Sequence, residues 1–214
     1  SDVYKRQVFL YFRMFVMMIV SLFTSRVVLD VLGAEDYGIY NIIGGVIVLF
    51  SFLNAALNAA TQRFINFNLG KNDLKQANSV FCMSLNVYVL LSVVIVILAE
   101  TIGLWFVNTQ LNIPEERMDA ANWVYQCTIL TFIINLIRIP YNASILAYER
   151  MDFYAYTSLG EAVLKLLVVY LLYVSFYDKL IVYALLYTVV PLLMTIIYKL
   201  FCIRNFEICL YRRT

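Results

Sequence analysis

The stretch FYAYTSLGEAVLKLLVVYLLYVSF, Phe153 to Phe176, is apolar over the length of a membrane crossing, yet it carries Glu161 and Lys165 within it. A cation at such depth is costly in hydrocarbon, so Lys165 needs a wet cavity or a partner. Glu161 and Lys165 stand i,i+4 in the favourable order on one helix face. Two readings stay open for them: a self-contained salt bridge, or a role in binding a substrate or a coupling ion.

The rest of the chain is of the same kind. Of its 214 residues 63% are hydrophobic and 14% charged, and the mean hydropathy is +0.81. A water-soluble domain of this length needs far more polar surface. At about 20 apolar residues per crossing, the length allows roughly five to seven membrane helices. The formal net charge of +2 is too small to say anything about partners, and no nucleic-acid partner is expected.

Six spans are predicted: Val8 to Leu32, Tyr37 to Leu57, Ser79 to Val107, Ala121 to Ile139, Phe153 to Phe176 and Leu180 to Ile203. The third, about 29 residues or roughly 43 Å at 1.5 Å per residue, must tilt or project beyond the bilayer. Pro191 predicts a kink in the sixth. Gln62 to Asn78 reads as a polar loop or surface helix, and Pro114 is placed to start the fourth span.

The basic residues orient the bundle. One set of ends holds Arg13, Arg63, Lys71, Lys75, Arg138, Arg150, Lys199, Arg204, Arg212 and Arg213, against Arg26, Arg117 and Lys179 at the other. The bias places both termini in the cytoplasm of a multi-pass inner-membrane protein. Arg13, Arg138 and Arg150 read as snorkelling anchors, and Arg26 with Asp30 as an i,i+4 pair. The opening SDVYKRQ contains a reading-frame translation of the mosaic-end DNA of a sequencing transposon, so residues 1–7 are expected to be non-native. Residues 8–203 form the six-helix domain and residues 204–214 a cytoplasmic tail.

Polar residues recur at helical spacing. The stripes are Ser51, Asn54, Asn58 and Thr61; then Thr128, Thr131, Asn135 and Arg138; then Tyr154, Ser158, Glu161 and Lys165. Each set shares a face. They serve either as interhelical hydrogen bonds or as the lining of a shared aqueous cavity. In the second case an anionic passenger such as a pyrophosphate-linked lipid would meet Arg26, Arg138 and Lys165, and its sugars would meet Asn54, Asn58 and Asn135. The four cysteines are scattered, none at metal-ligand spacing, and the chain has no histidine. No metal, cofactor or catalytic residue is therefore expected.

Three longer runs carry a resemblance. SRVVLDVLGAEDYGIYNIIGG (Ser25 to Gly45), NAATQRFINFNLGK (Asn58 to Lys71) and RIPYNASILAYERM (Arg138 to Met151) resemble bacterial polysaccharide flippases of the Wzx type. These belong to the multidrug, oligosaccharidyl-lipid and polysaccharide exporter superfamily. The element Leu32, Gly33, Tyr37, Gly38 reads locally as a tight outer turn in which glycine permits positive φ. The resemblance implies an all-α membrane protein, six helices forming one lobe of a MATE-like transporter whose second, C-terminal lobe is missing from this stretch. Residues 204–214 would then begin the connection between lobes. It further implies translocation of undecaprenyl-pyrophosphate-linked oligosaccharide by alternating access, with polysaccharide polymerase machinery as a further partner. The alternatives are a cation-coupled drug exporter, with Glu161 or Asp30 holding the ion, and a non-transporting assembly protein. A membrane enzyme would need a large catalytic outer loop, whereas the longest outer connection spans about a dozen residues, Asn108 to Met118.

Overall fold

The computed structural model describes residues 2–211. Ser1 of the opening motif and the basic pair Arg212 and Arg213 lie outside them. About 90% of the chain is helical and no strand occurs among the described residues. The helices are α1 (Asp2–Val48), α2 (Ser51–Gly70), α3 (Leu74–Leu98), α4 (Leu104–Thr109), α5 (Met118–Ala147), α6 (Met151–Leu172) and α7 (Lys179–Asn205). Among the described residues, five helical stretches are long and apolar enough to cross a membrane: Asp2–Val48, Leu74–Thr109, Glu115–Ala147, Met151–Leu172 and Lys179–Asn205. This is the pattern of a multi-pass membrane protein.

The first of these is folded on itself. A straight helix of 47 residues would reach about 70 Å, more than twice the hydrocarbon thickness. Gly33 breaks it with φ 85° and ψ 164°, a region that side-chain-bearing residues almost never occupy. Before the break, Phe9 and Arg13 pack against Tyr156 and Tyr154 near the start of α6. Beyond it, Asp36 meets Arg117 just ahead of α5, and Asn58 meets Asn142 near the far end of α5. The chain therefore reverses at Gly33.

Several predicted boundaries shift. The helix begun after Gly33 is interrupted only around Leu49 and Phe50 and then runs through Gln62 to Gly70, so much of the polar segment is helical. Its turn into α3 uses Asn72 at φ 56°, and Asp73 caps α3 by accepting from Gln76 N at 3.0 Å. The predicted third span becomes a 36-residue helical stretch. It contains a π-helical turn, Ala99–Gly103, where the Tyr125 hydroxyl donates to Ala99 O at 2.8 Å and occupies the space beside Gly103. The predicted fourth span stops too early: α5 continues through Pro140 to Ala147, because a proline inside a packed helix is tolerated where neighbours cover the freed carbonyl. The fifth ends at Leu172 rather than Phe176.

α5 is the central helix, its residues buried on most sides. Around its first half lies an apolar core including Val28, Ile43, Val107, Val124, Leu172 and Leu180. Around its last turns lies a second, with Ile65, Phe81, Tyr141, Ile145, Cys202 and Ile208. Between them a small third core joins Leu136 and Ile139 to Tyr88 of α3, and beside it the packing opens.

Candidate functional site

The opening is a polar cavity of about 350 Å³. α2 contributes Asn54 and Asn58, α5 contributes Asn135, Arg138 and Asn142, and α6 contributes Tyr154, Ser158 and Glu161. Arg13 enters from α1 and Tyr198 from α7. The three stripes thus meet over part of their lengths, because α2 packs against α5 while α6, held mainly by α1 and α7, brings Glu161 to Arg138 of α5.

Four of these side chains are tied in pairs. Arg138 Nη2 donates to Asn135 Oδ1 at 2.7 Å, and Asn142 Nδ2 donates to Asn58 Oδ1 at 3.3 Å. The Arg138 guanidinium sits 5.5 Å from the centre of the Tyr198 ring, and that of Arg13 lies 4.4 Å from the Tyr154 ring. Such cation–π contacts hold a guanidinium in place without neutralising it. Two groups remain unsatisfied: Arg13 Nε and Asn54 Oδ1 are buried without a hydrogen-bond partner. A donor and an acceptor left unpaired in one cavity suit a ligand that offers both functions.

A second cavity of about 170 Å³ lies beyond the first, towards the Gly33 turn. Lys165 projects into it beside Tyr37, Tyr187 and the hydroxyl-bearing Ser21, Thr24 and Ser25 of α1. Glu161 stands between the two cavities, its Oε2 3.6 Å from Arg138 Nη1 and its Oε1 3.5 Å from Lys165 Nζ. From Tyr154 to Lys165, α6 therefore presents a polar track about 16 Å long, at 1.5 Å per residue. Arg13, Arg138 and Lys165 set against Glu161 give this track a net charge of +2.

Not every predicted residue joins it. Arg26 lies on the exposed face of α1, outside both cavities, and no ion pair links it to Asp30, which is also exposed. Arg138, read from sequence as an anchor, is folded inward with its side chain 18% exposed, and Arg13 likewise lines the cavity. Parts of the stripes are interhelical ties. The buried hydroxyls of Thr61 and Tyr88 are hydrogen-bonded, and Thr131 donates to Thr188 Oγ1 at 3.1 Å. In the turn element, Gly33 alone has positive φ, Tyr37 faces the second cavity, and Gly38 is an ordinary helical residue.

At the far end from the α2–α3 turn, one arginine ties three connections together. Arg117 grips Asp178 through Nη1 and Nη2 at 2.7 and 3.1 Å and reaches Asp36 through Nε at 3.0 Å. The guanidinium holds the Asp178 carboxyl below the usual carboxylate range, assisted by the backbone N–H of Leu180. This clamp braces the scaffold on which the cavities are built.

No protein-family model, curated protein or solved structure matches the chain.

Proposed function

We propose that the chain is one lobe of a membrane transporter that carries an anionic, lipid-linked oligosaccharide, its head group joined to the lipid through a diphosphate. The carrying observation is the charge of the polar track, +2 in a setting where unpaired charge is expensive. A diphosphate diester carries two negative charges and would neutralise it. The first cavity falls in the size range of small-ligand sites, with room for the diphosphate and the sugar next to it. Asn54, Asn58, Asn135 and Asn142 supply the donors and acceptors that sugar hydroxyls require.

In this reading the chain crosses the bacterial inner membrane six times, with its first crossing ending at Gly33 and both termini cytoplasmic. Asp36, Arg117 and Asp178 would then gather the three outer connections. The exposed Arg26 and Asp30 would face a second lobe. The resemblance to polysaccharide flippases agrees with this assignment and with alternating access as the mechanism. A cation-coupled exporter is less well supported, because Glu161, the only carboxylate of the track, is already faced by two cations.

Single replacements Arg138→Gln and Lys165→Met, tested for rescue of surface polysaccharide in cells lacking the intact transporter, decide the point. Loss of export at normal membrane levels of the protein is expected for both. Full export by either variant removes that residue from the proposal.

A further inference from the structure

Glu161 is the one carboxylate lining the first cavity and it also reaches Lys165 of the second, and its bonds are loose. Its oxygens stand 3.5 and 3.6 Å from Lys165 and Arg138, beyond the roughly 2.7–2.9 Å of a strong charge-assisted hydrogen bond. The Arg117–Asp178 contact of 2.7 Å in the same molecule shows what a tight pair looks like here. The cations do not depend on Glu161 for their placement. Arg138 has its short bond to Asn135 and the Tyr198 ring behind it, and Lys165 lies 5.5 Å from the centre of the Tyr187 ring.

We infer that Glu161 is an exchangeable counter-ion: an entering diphosphate takes its place between Arg138 and Lys165 and joins the two cavities into one site. This rests on the reading of an anionic substrate given above. With the diphosphate bound, three cations face three negative charges, two from the ligand and one from the displaced carboxylate. Glu161 thereby competes with the substrate it admits. The competition keeps affinity moderate, as a transporter requires in order to release its cargo.

The sign of one substitution separates this role from a structural one. Had Glu161 only positioned the cations, Glu161→Gln would weaken anion binding. As a competitor, its removal strengthens binding by about tenfold or more, since a unit charge within about 5 Å of the ligand is worth that much even at an effective dielectric constant of about 20. Affinities of wild type and Glu161→Gln, purified in lipid nanodiscs, are measured for inorganic pyrophosphate and for farnesyl-diphosphate-linked N-acetylglucosamine. Tighter binding of both probes by the variant supports the inference. Tighter binding of pyrophosphate alone, with the lipid-linked sugar ignored by both proteins, supports counter-ion exchange and overturns the proposed cargo. Equal or weaker binding by the variant overturns the exchange, and leaves the cargo assignment standing where wild type binds the lipid-linked sugar. No binding of either probe to either protein overturns both. Should Glu161→Gln fail to fold, infrared difference spectra of wild type on adding pyrophosphate serve instead, with Glu161→Asp to assign the band. A shifted carboxylate band is expected, and an unchanged one refutes the exchange.

Discussion

Replacing Gly33 by alanine isolates the turn on which the first helical stretch folds back. A Cβ built at Gly33 meets nothing within 4 Å, so the substitution removes no packing and creates no clash with another residue. What remains is the backbone, at φ 85° and ψ 164°, where a side chain costs about 1–3 kcal/mol. Alanine also restricts the unfolded chain, which offsets about 0.4–1 kcal/mol. Net destabilisation of about 1–2 kcal/mol is expected. Gly38 is the matched control: helical, with negative φ and equally open space around it. There alanine improves helix propensity by about 0.5–1 kcal/mol. Thermal unfolding in detergent, followed by helical circular dichroism, should place Gly33→Ala below wild type and Gly38→Ala at or above it. Gly33→Ala melting at or above wild type would refute the reversal at Gly33.

Three further outcomes are expected. Arg117→Gln frees the carboxylates of Asp36 and Asp178, both part-exposed, and should cost about 1–2 kcal/mol in the same melts. Because the Asp178 carboxyl is held below its ordinary value, the clamp is at full strength above the unfolded carboxyl pKa of about 3.9. It weakens as pH falls through the lower folded value, so the gap between wild type and Arg117→Gln should close in acid and persist at neutral pH. Gly103→Ala drives a methyl into the Tyr125 hydroxyl and should lower stability by about 1–3 kcal/mol; the double replacement with Tyr125→Phe, which removes that hydroxyl, should recover part of the loss.

What the sequence revealed and what it hid follow from helix geometry. Apolar runs marked the membrane-crossing material, since hydropathy over about 20 residues depends on no tertiary detail. The convergence of Asn54, Asn58, Asn135, Arg138, Glu161 and Lys165 was foreshadowed by their spacing, because residues three and four apart share a face whatever lies opposite. Asn142 continues that stripe at i+4 from Arg138, and stopping the helix before Pro140 concealed it. Arg26 falls outside both cavities because depth is legible in a sequence but rotation is not. The α1 face that lines the second cavity runs through Met17, Ser21, Thr24 and Val28, and Arg26 is turned about 200° from Thr24. Arg13 looked like an interfacial anchor, and no local pattern signals its partner, the Tyr154 ring on a distant helix. The Arg117 clamp joins three connections far apart in sequence, and charge alone did not pair them.

The central claim is that the polar track recognises a doubly charged diphosphate. Native mass spectrometry of the purified protein, presented with equal amounts of N-acetylglucosamine linked to one farnesyl chain through a diphosphate or through a monophosphate, tests it most directly. Preferential retention of the diphosphate form, lost in Arg138→Gln and Lys165→Met, is the expected result. Equal retention of both forms, or a preference unaffected by those replacements, would contradict the account.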